Sequence, residues 1–188
     1  MKESCFNKPI KILLITDGLV LLAGAMFVPI YAIYVEKIGG NLLDIGLAGG
    51  VFALAGAVTA FITGRYSDKI KESEFFIVFS YAFMGVGFLL YMIVDSIFSL
   101  LLVQILIGIS RASYGPAFDA LYSRHLHLDH AGKTWGAWES MSYLATAIGA
   151  TIGGIIAFTI GFNALFIAMA ALCFFSAIYI FFLPREIL

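Results

Sequence analysis

The chain has 188 residues, of which 62% are hydrophobic and 12% charged, with a formal net charge of -1. Soluble domains average about half apolar and about a quarter charged residues, so this composition excludes an ordinary water-soluble protein and implies an integral membrane protein. It also offers no basic surface for nucleic acid. Cys5 in the polar N-terminal tail and Cys173 in the last apolar run stand at different depths, and imply no disulfide framework.

A bilayer-spanning helix needs about 20 mostly apolar residues. Six windows reach that length: 12–34, 42–63, 75–94, 97–118, 136–158 and 160–183. The first follows Lys2 and Lys8 and contains Ala23-Gly24-Ala25, which mimics the cleavage site of a signal peptide. Asp17 interrupts the would-be apolar core and the run continues to Tyr34, so an uncleaved first helix is expected. The links are short: 35–41, 64–74, 95–96, 119–135 and 159–163. Short links force neighbouring spans to be antiparallel, which makes residues 1–188 a single all-α bundle of six transmembrane helices.

Orientation follows from the basic residues. Lys2, Lys8, Lys11, Arg65, Lys69, Lys71, Arg124, Lys133 and Arg185 fall on one side of a six-span chain, and Lys37 on the other. Both termini are therefore expected in the cytoplasm, in a cell membrane. Pro29 and Pro116, inside the first and fourth spans, are expected to kink them.

Small residues let helices approach closely in lipid. The second span carries Gly46, Gly50, Ala53, Ala57, Ala60 and Gly64 at helical spacing, and the fifth carries Ala145, Gly149, Gly153 and Ala157 at intervals of four. Both are expected to be packing stripes.

A charge within a span costs about 2.5 to 3.5 kcal/mol on insertion scales, and so marks a functional candidate. Arg111 lies near the middle of the fourth span, where Gln104, Gly108, Arg111 and Gly115 share one face. Its expected role is in a cavity or in coupling, with a structural ion pair as the alternative. Asp17 lies about 9 Å along the first helix from Lys11 at 1.5 Å per residue, either as a proton carrier or paired with a basic group. Tyr31 sits on roughly the same face as Asp17, on a cavity wall or as an interfacial anchor. Glu139 and Asp119 are expected to pair with loop charges, and Trp135 and Trp138 to belong to the interfacial belt. His125, His127 and His130, with Asp129, lie in one loop and read as solvated rather than as metal ligands. No cofactor or resident metal is implied.

The turn Gly64-Arg65-Tyr66-Ser67-Asp68-Lys69-Ile70-Lys71 resembles motif A of the major facilitator superfamily, G-x-x-x-D-(R/K)-x-G-(R/K)-(R/K). Gly64, Asp68 and Lys69 match, whereas Lys71, Glu72 and Ser73 stand where the family has Gly and two basic residues. Arg111 to Gly115 resembles the fourth-helix motif R-x-x-Q-G, with Tyr114 in place of Gln, and Gly149-Ala150-Thr151-Ile152-Gly153-Gly154 is similar to the fifth helix of drug/proton antiporters, without its proline. The resemblance implies one six-helix half of a transporter, built from two inverted three-helix repeats and resembling the N-terminal half. It also implies a small-molecule substrate, alternating access and proton-coupled efflux. Gly64, Asp68, Lys69 and Lys71 would form a gate, and Asp17, Tyr31, Gln104, Arg111, Tyr114 and Gly115 a coupling or substrate cavity.

Such transporters have two halves, so a homodimer or a second six-helix half is expected. Asp68 would then brace the partner's fifth span near Thr134. The alternative is a non-transporting or truncated protein that serves as an assembly partner. Enzyme and channel classes with six spans require signatures absent here: a Gly-x-Ser-Gly nucleophile, paired Asn-Pro-Ala segments, a triple carrier repeat or a rich set of membrane histidines.

Overall fold

The computed structural model describes residues 6–67 and 73–184. Its helices are α1 (Lys8–Phe27), α2 (Tyr31–Lys37), α3 (Leu42–Ser67), α4 (Ser73–Leu90), α5 (Ile97–Arg124), α6 (Ala131–Thr159) and α7 (Phe162–Phe181). Six spans are long and apolar enough to cross a membrane, with α1 and α2 together forming the first. Three helix starts carry side-chain caps. Asn7 accepts from the Ile10 amide at 3.0 Å, capping α1. Asn41 accepts from the amides of Leu43 and Asp44 at the start of α3 while its own amide donates to Asp44, and Ser96 and Ser99 cap each other at the start of α5. Gly39 and Gly161, at φ 85° and 113°, turn the chain where other residues would be strained.

The two intramembrane prolines behave differently. Pro29 lies in a tight three-residue turn, Val28–Ile30, that divides the first span, whereas α5 runs unbroken through Pro116. The helices also exceed the hydropathy windows. Asp119, expected in a loop, lies within α5, which continues to Arg124, and α6 begins at Ala131 rather than Gly136. Hydropathy marks the membrane crossing, and a helix that projects into water keeps its hydrogen bonds beyond it. Gly64 likewise does not end its helix, since α3 continues to Ser67.

The bundle has an internal regularity. The second span packs on the fourth, the first on the fifth, the third on the sixth, the third on the fourth and the first on the sixth. Exchanging spans one, two and three with four, five and six leaves this set unchanged, as two inverted three-helix repeats require. The spans differ greatly in burial: the second and fifth bury least within the chain. Large apolar side chains such as Phe79, Phe83, Phe158 and Phe175 are exposed, as lipid-facing residues should be.

Glycine fixes the two most intimate contacts. A Cβ on Gly153 would collide with the Met26 backbone, and one on Gly149 would lie 2.7 Å from the Leu22 carbonyl oxygen. On the opposite side, a Cβ on Gly108 would lie 2.5 Å from the carbonyl oxygen of Phe52. Ala145 is buried on the same stripe of α6, and Ala157 is partly buried against the core. The stripe expected on the second span is a different matter. Gly46, Gly50, Ala53, Ala57 and Ala60 are exposed, and α3 instead meets α5 through Phe52, Ala55 and Gly56.

Replacing Gly153 with Leu should lower stability by about 1–3 kcal/mol through overpacking, read as a fall in the thermal midpoint in detergent. Gly154→Ala, where the added Cβ meets nothing within 4 Å, should leave it nearly unchanged. Equal effects of the two would contradict this contact.

Candidate functional site

Two arrangements occupy the middle of the bundle, one buried and one open. In the first, Asp17 is 1% exposed and is held from two other spans. Tyr81 donates to its Oδ1 at 3.3 Å from α4, and Trp138 Nε1 donates to its Oδ2 at 2.8 Å from α6. A carboxylate at this depth has no water to replace these donors. Tyr114 of α5 stands edge to face against Tyr81 at 5.0 Å. Its hydroxyl is buried and interacts with the Asp17 carboxyl. The backbone beside Asp17 is tied as well, since Ser176 Oγ donates to the Thr16 carbonyl at 3.1 Å.

Trp138 is therefore not simply a belt residue. It is half-buried, tilted against Phe118 at 6.4 Å, and linked through its indole N–H to the first span. Trp135 packs on Tyr122 at 4.9 Å, and the Tyr122 hydroxyl donates to the Thr134 carbonyl at 2.7 Å.

The second arrangement is a hollow of about 700 Å³ lined from the first five spans. That volume lies within the usual range for drug-sized ligands. Phe27, Phe52, Phe88 and Tyr91 supply aromatic wall, Gly49 and Ala150 bring the second and fifth spans to it, and Arg111 supplies its charge. Arg111 is exposed, with its guanidinium carbon 4.8 Å from the centre of the Tyr114 ring. Farther along α5, Gln104 Nε2 donates to the Tyr31 hydroxyl at 2.6 Å. Near this bond Phe27, Tyr34, Tyr91 and Phe166 meet mainly edge to face, and the Tyr34 hydroxyl donates to the Tyr91 carbonyl at 2.6 Å.

Of the residues singled out in the sequence, Tyr31, Gln104, Arg111 and Tyr114 line the hollow together, whereas Asp17 and Gly115 do not. Asp17 was expected to face the same cavity as Arg111. It lies behind the wall instead, with Tyr114 offering its ring to Arg111 and its hydroxyl end to Asp17. Asp119 and Glu139 are both exposed, and among the described residues the charge felt by Asp119 is that of Arg111 on its own helix; the loop charges Lys69 and Lys71 lie outside the described residues. Thr134, expected to face a partner, is fully buried, and its side chain bonds back to the His130 carbonyl. His125 closes the end of α5, and its carbonyl accepts from Asn7 at 2.9 Å. Among the described residues, no group of three or more metal-ligating side chains gathers. Asp68, Lys69 and Lys71 lie outside the described residues.

Sequence reasoning missed Phe27, Phe52, Met84, Phe88 and Tyr91. The spacing of Met84, Phe88 and Tyr91 places them on one helical face, a signal that lipid-facing aromatics of the same span obscure.

Comparison with known proteins fits this architecture. The family model for the Major Facilitator Superfamily matches residues 13–187. The uncharacterized MFS-type transporter MJ1560 of Methanocaldococcus jannaschii is 34% identical over 151 residues, covering 80% of this chain and 39% of its own length. The multidrug resistance protein MdtG of Salmonella schwarzengrund is 27% identical, with 89% of this chain and 42% of its own length covered. The chain thus spans about two fifths of the length of these two relatives. The uncharacterized MFS-type transporter YitZ of Bacillus subtilis is 25% identical, and its match covers 83% of this chain and 94% of YitZ. With the model matched from the first span to the last, this multi-pass membrane protein belongs to the Major Facilitator Superfamily, a family of transporters and not of enzymes.

Proposed function

We propose that the chain forms one wall of a translocation path, which carries a small organic solute across the cell membrane by alternating access with the termini in the cytoplasm. The observation that carries this reading is the hollow itself: a concave, mainly apolar surface, with one exposed arginine, lined from five membrane-spanning helices. The name of MdtG supports efflux of drug-like molecules as the direction and substrate type. Asp17 is the proton-carrying candidate. Its hydrogen bonds to Tyr81 and Trp138 join three spans, so a change in its protonation alters contacts between helices that must move.

A second wall completes the path. The exposed small-residue face of α3 and the poorly buried fifth span offer the surface for it, and a second copy of the chain supplies the simplest one. The alternative, a six-helix fragment or non-transporting assembly partner, is favoured by the partial coverage of MJ1560 and MdtG.

Arg111→Ala, purified and reconstituted in proteoliposomes, should reduce proton-driven solute movement to the level of empty vesicles while keeping the thermal midpoint of the parent. Unchanged transport would remove Arg111 from the path. The partner contact is tested at the start of α6, where Gly132 is exposed and Thr134 is not. Chains carrying Asp68→Cys and Gly132→Cys should form a disulfide between protomers in membranes, and a purely monomeric product would contradict a gate built from these two segments.

A further inference from the structure

We infer that the hollow selects an elongated aromatic organic anion, whose acidic group is held by Arg111 and whose ring system lies along the aromatic wall. This inference rests on the reading of the hollow as the substrate surface. The first reason is charge. Among the described residues lining the hollow, Arg111 alone carries a charge at neutral pH. Asp17 and Asp119 both feel the charge of Arg111, but neither lines the hollow, so a ligand there meets the guanidinium and no carboxylate. The guanidinium carbon lies 4.8 Å from the centre of the Tyr114 ring, a cation–π contact that takes up no oxygen acceptor. The guanidinium N–H donors form a planar fork that suits two oxygens of a carboxylate, sulfonate or phosphonate. A lipophilic cation entering the same space would meet a like charge where water screens it poorly.

The second reason is shape. Gln104 and Arg111 are seven residues apart on α5, about 10 Å at the helical rise of 1.5 Å per residue. Phe27, Phe88 and Tyr91 supply ring surface to the same hollow. At the far end the Tyr31 hydroxyl accepts from Gln104 and keeps its own proton to donate. A two-ring molecule with an acidic group at one end and a hydrogen-bond acceptor at the other spans this distance. Should a second copy complete the passage, it brings another Arg111 and no new exposed carboxylate from the same wall, so the sign of the field is reinforced.

The test uses two probes of matched shape and opposite charge, naphthalene-2-sulfonate and trimethyl(2-naphthyl)ammonium. Their binding to the full-length chain in a neutral detergent is measured by equilibrium dialysis and corrected with protein-free micelles. The anion should bind about tenfold or more tighter than the cation. Arg111→Gln should weaken the anion by about tenfold or more and leave the cation unchanged or improved, whereas Arg111→Lys should retain the preference for the anion. Equal or tighter binding of the cation to the parent chain would overturn the inference, as would anion binding that is indifferent to Arg111→Gln. If Arg111→Gln fails to fold, the preference of the parent and of Arg111→Lys decides. Transport is scored separately in proteoliposomes. Anion binding without movement of either probe would defeat the translocation reading and keep the ligand class, and movement of the cation alone would do the reverse.

Discussion

Hydrocarbon provides neither water for an unpaired polar group nor a hydrophobic drive to press one helix on another, so the bundle depends on how closely its backbones approach. Gly149 and Gly153 allow α6 to lie on the backbone of α1 at Leu22 and Met26, and Gly108 allows α5 to lie on α3 at Phe52. These contacts are counterparts under the exchange of the two three-helix repeats. They hold the first span to the fifth and the second to the fourth, while the third and sixth back them from the other side. The hollow follows from this arrangement, because its lining comes from all five of the first spans and is positioned by their spacing.

Within that frame the two intramembrane charges are treated in opposite ways. Asp17 is enclosed and receives hydrogen bonds from helices that are distant in sequence, so its environment reports the relative position of three spans. Arg111 is displayed on the wall with an aromatic ring behind it. Tyr114 connects them: its ring meets the arginine, and its hydroxyl meets the carboxylate.

The number of spans was legible because hydropathy responds directly to the length of the lipid core. The ends were less so: α5 and α6 project past their apolar windows as helices, and turn the expected loop from Asp119 to Trp135 largely into helical structure. The face-to-face relations were harder still. The stripes of small residues on the second and fifth spans look equivalent as sequence, yet the stripe on α6 meets a neighbouring backbone and the one on α3 faces outward. Arg111, Gln104 and Tyr31 could be placed in a cavity from their polarity at depth. Trp138 could not be paired with Asp17, because a tryptophan near a span end has the same pattern whether it anchors an interface or donates to a residue 121 positions away.

A concave wall on one chain needs a facing wall, and the central claim is that two copies share one passage. It is tested most directly by co-expressing the parent chain with an inactive, fully folded Arg111→Ala chain at varied ratios and measuring transport per total chain, parent and variant together, after reconstitution. A shared passage predicts that transport falls as the square of the parent fraction. A linear fall, with each parent chain keeping its full activity beside the variant, would contradict it.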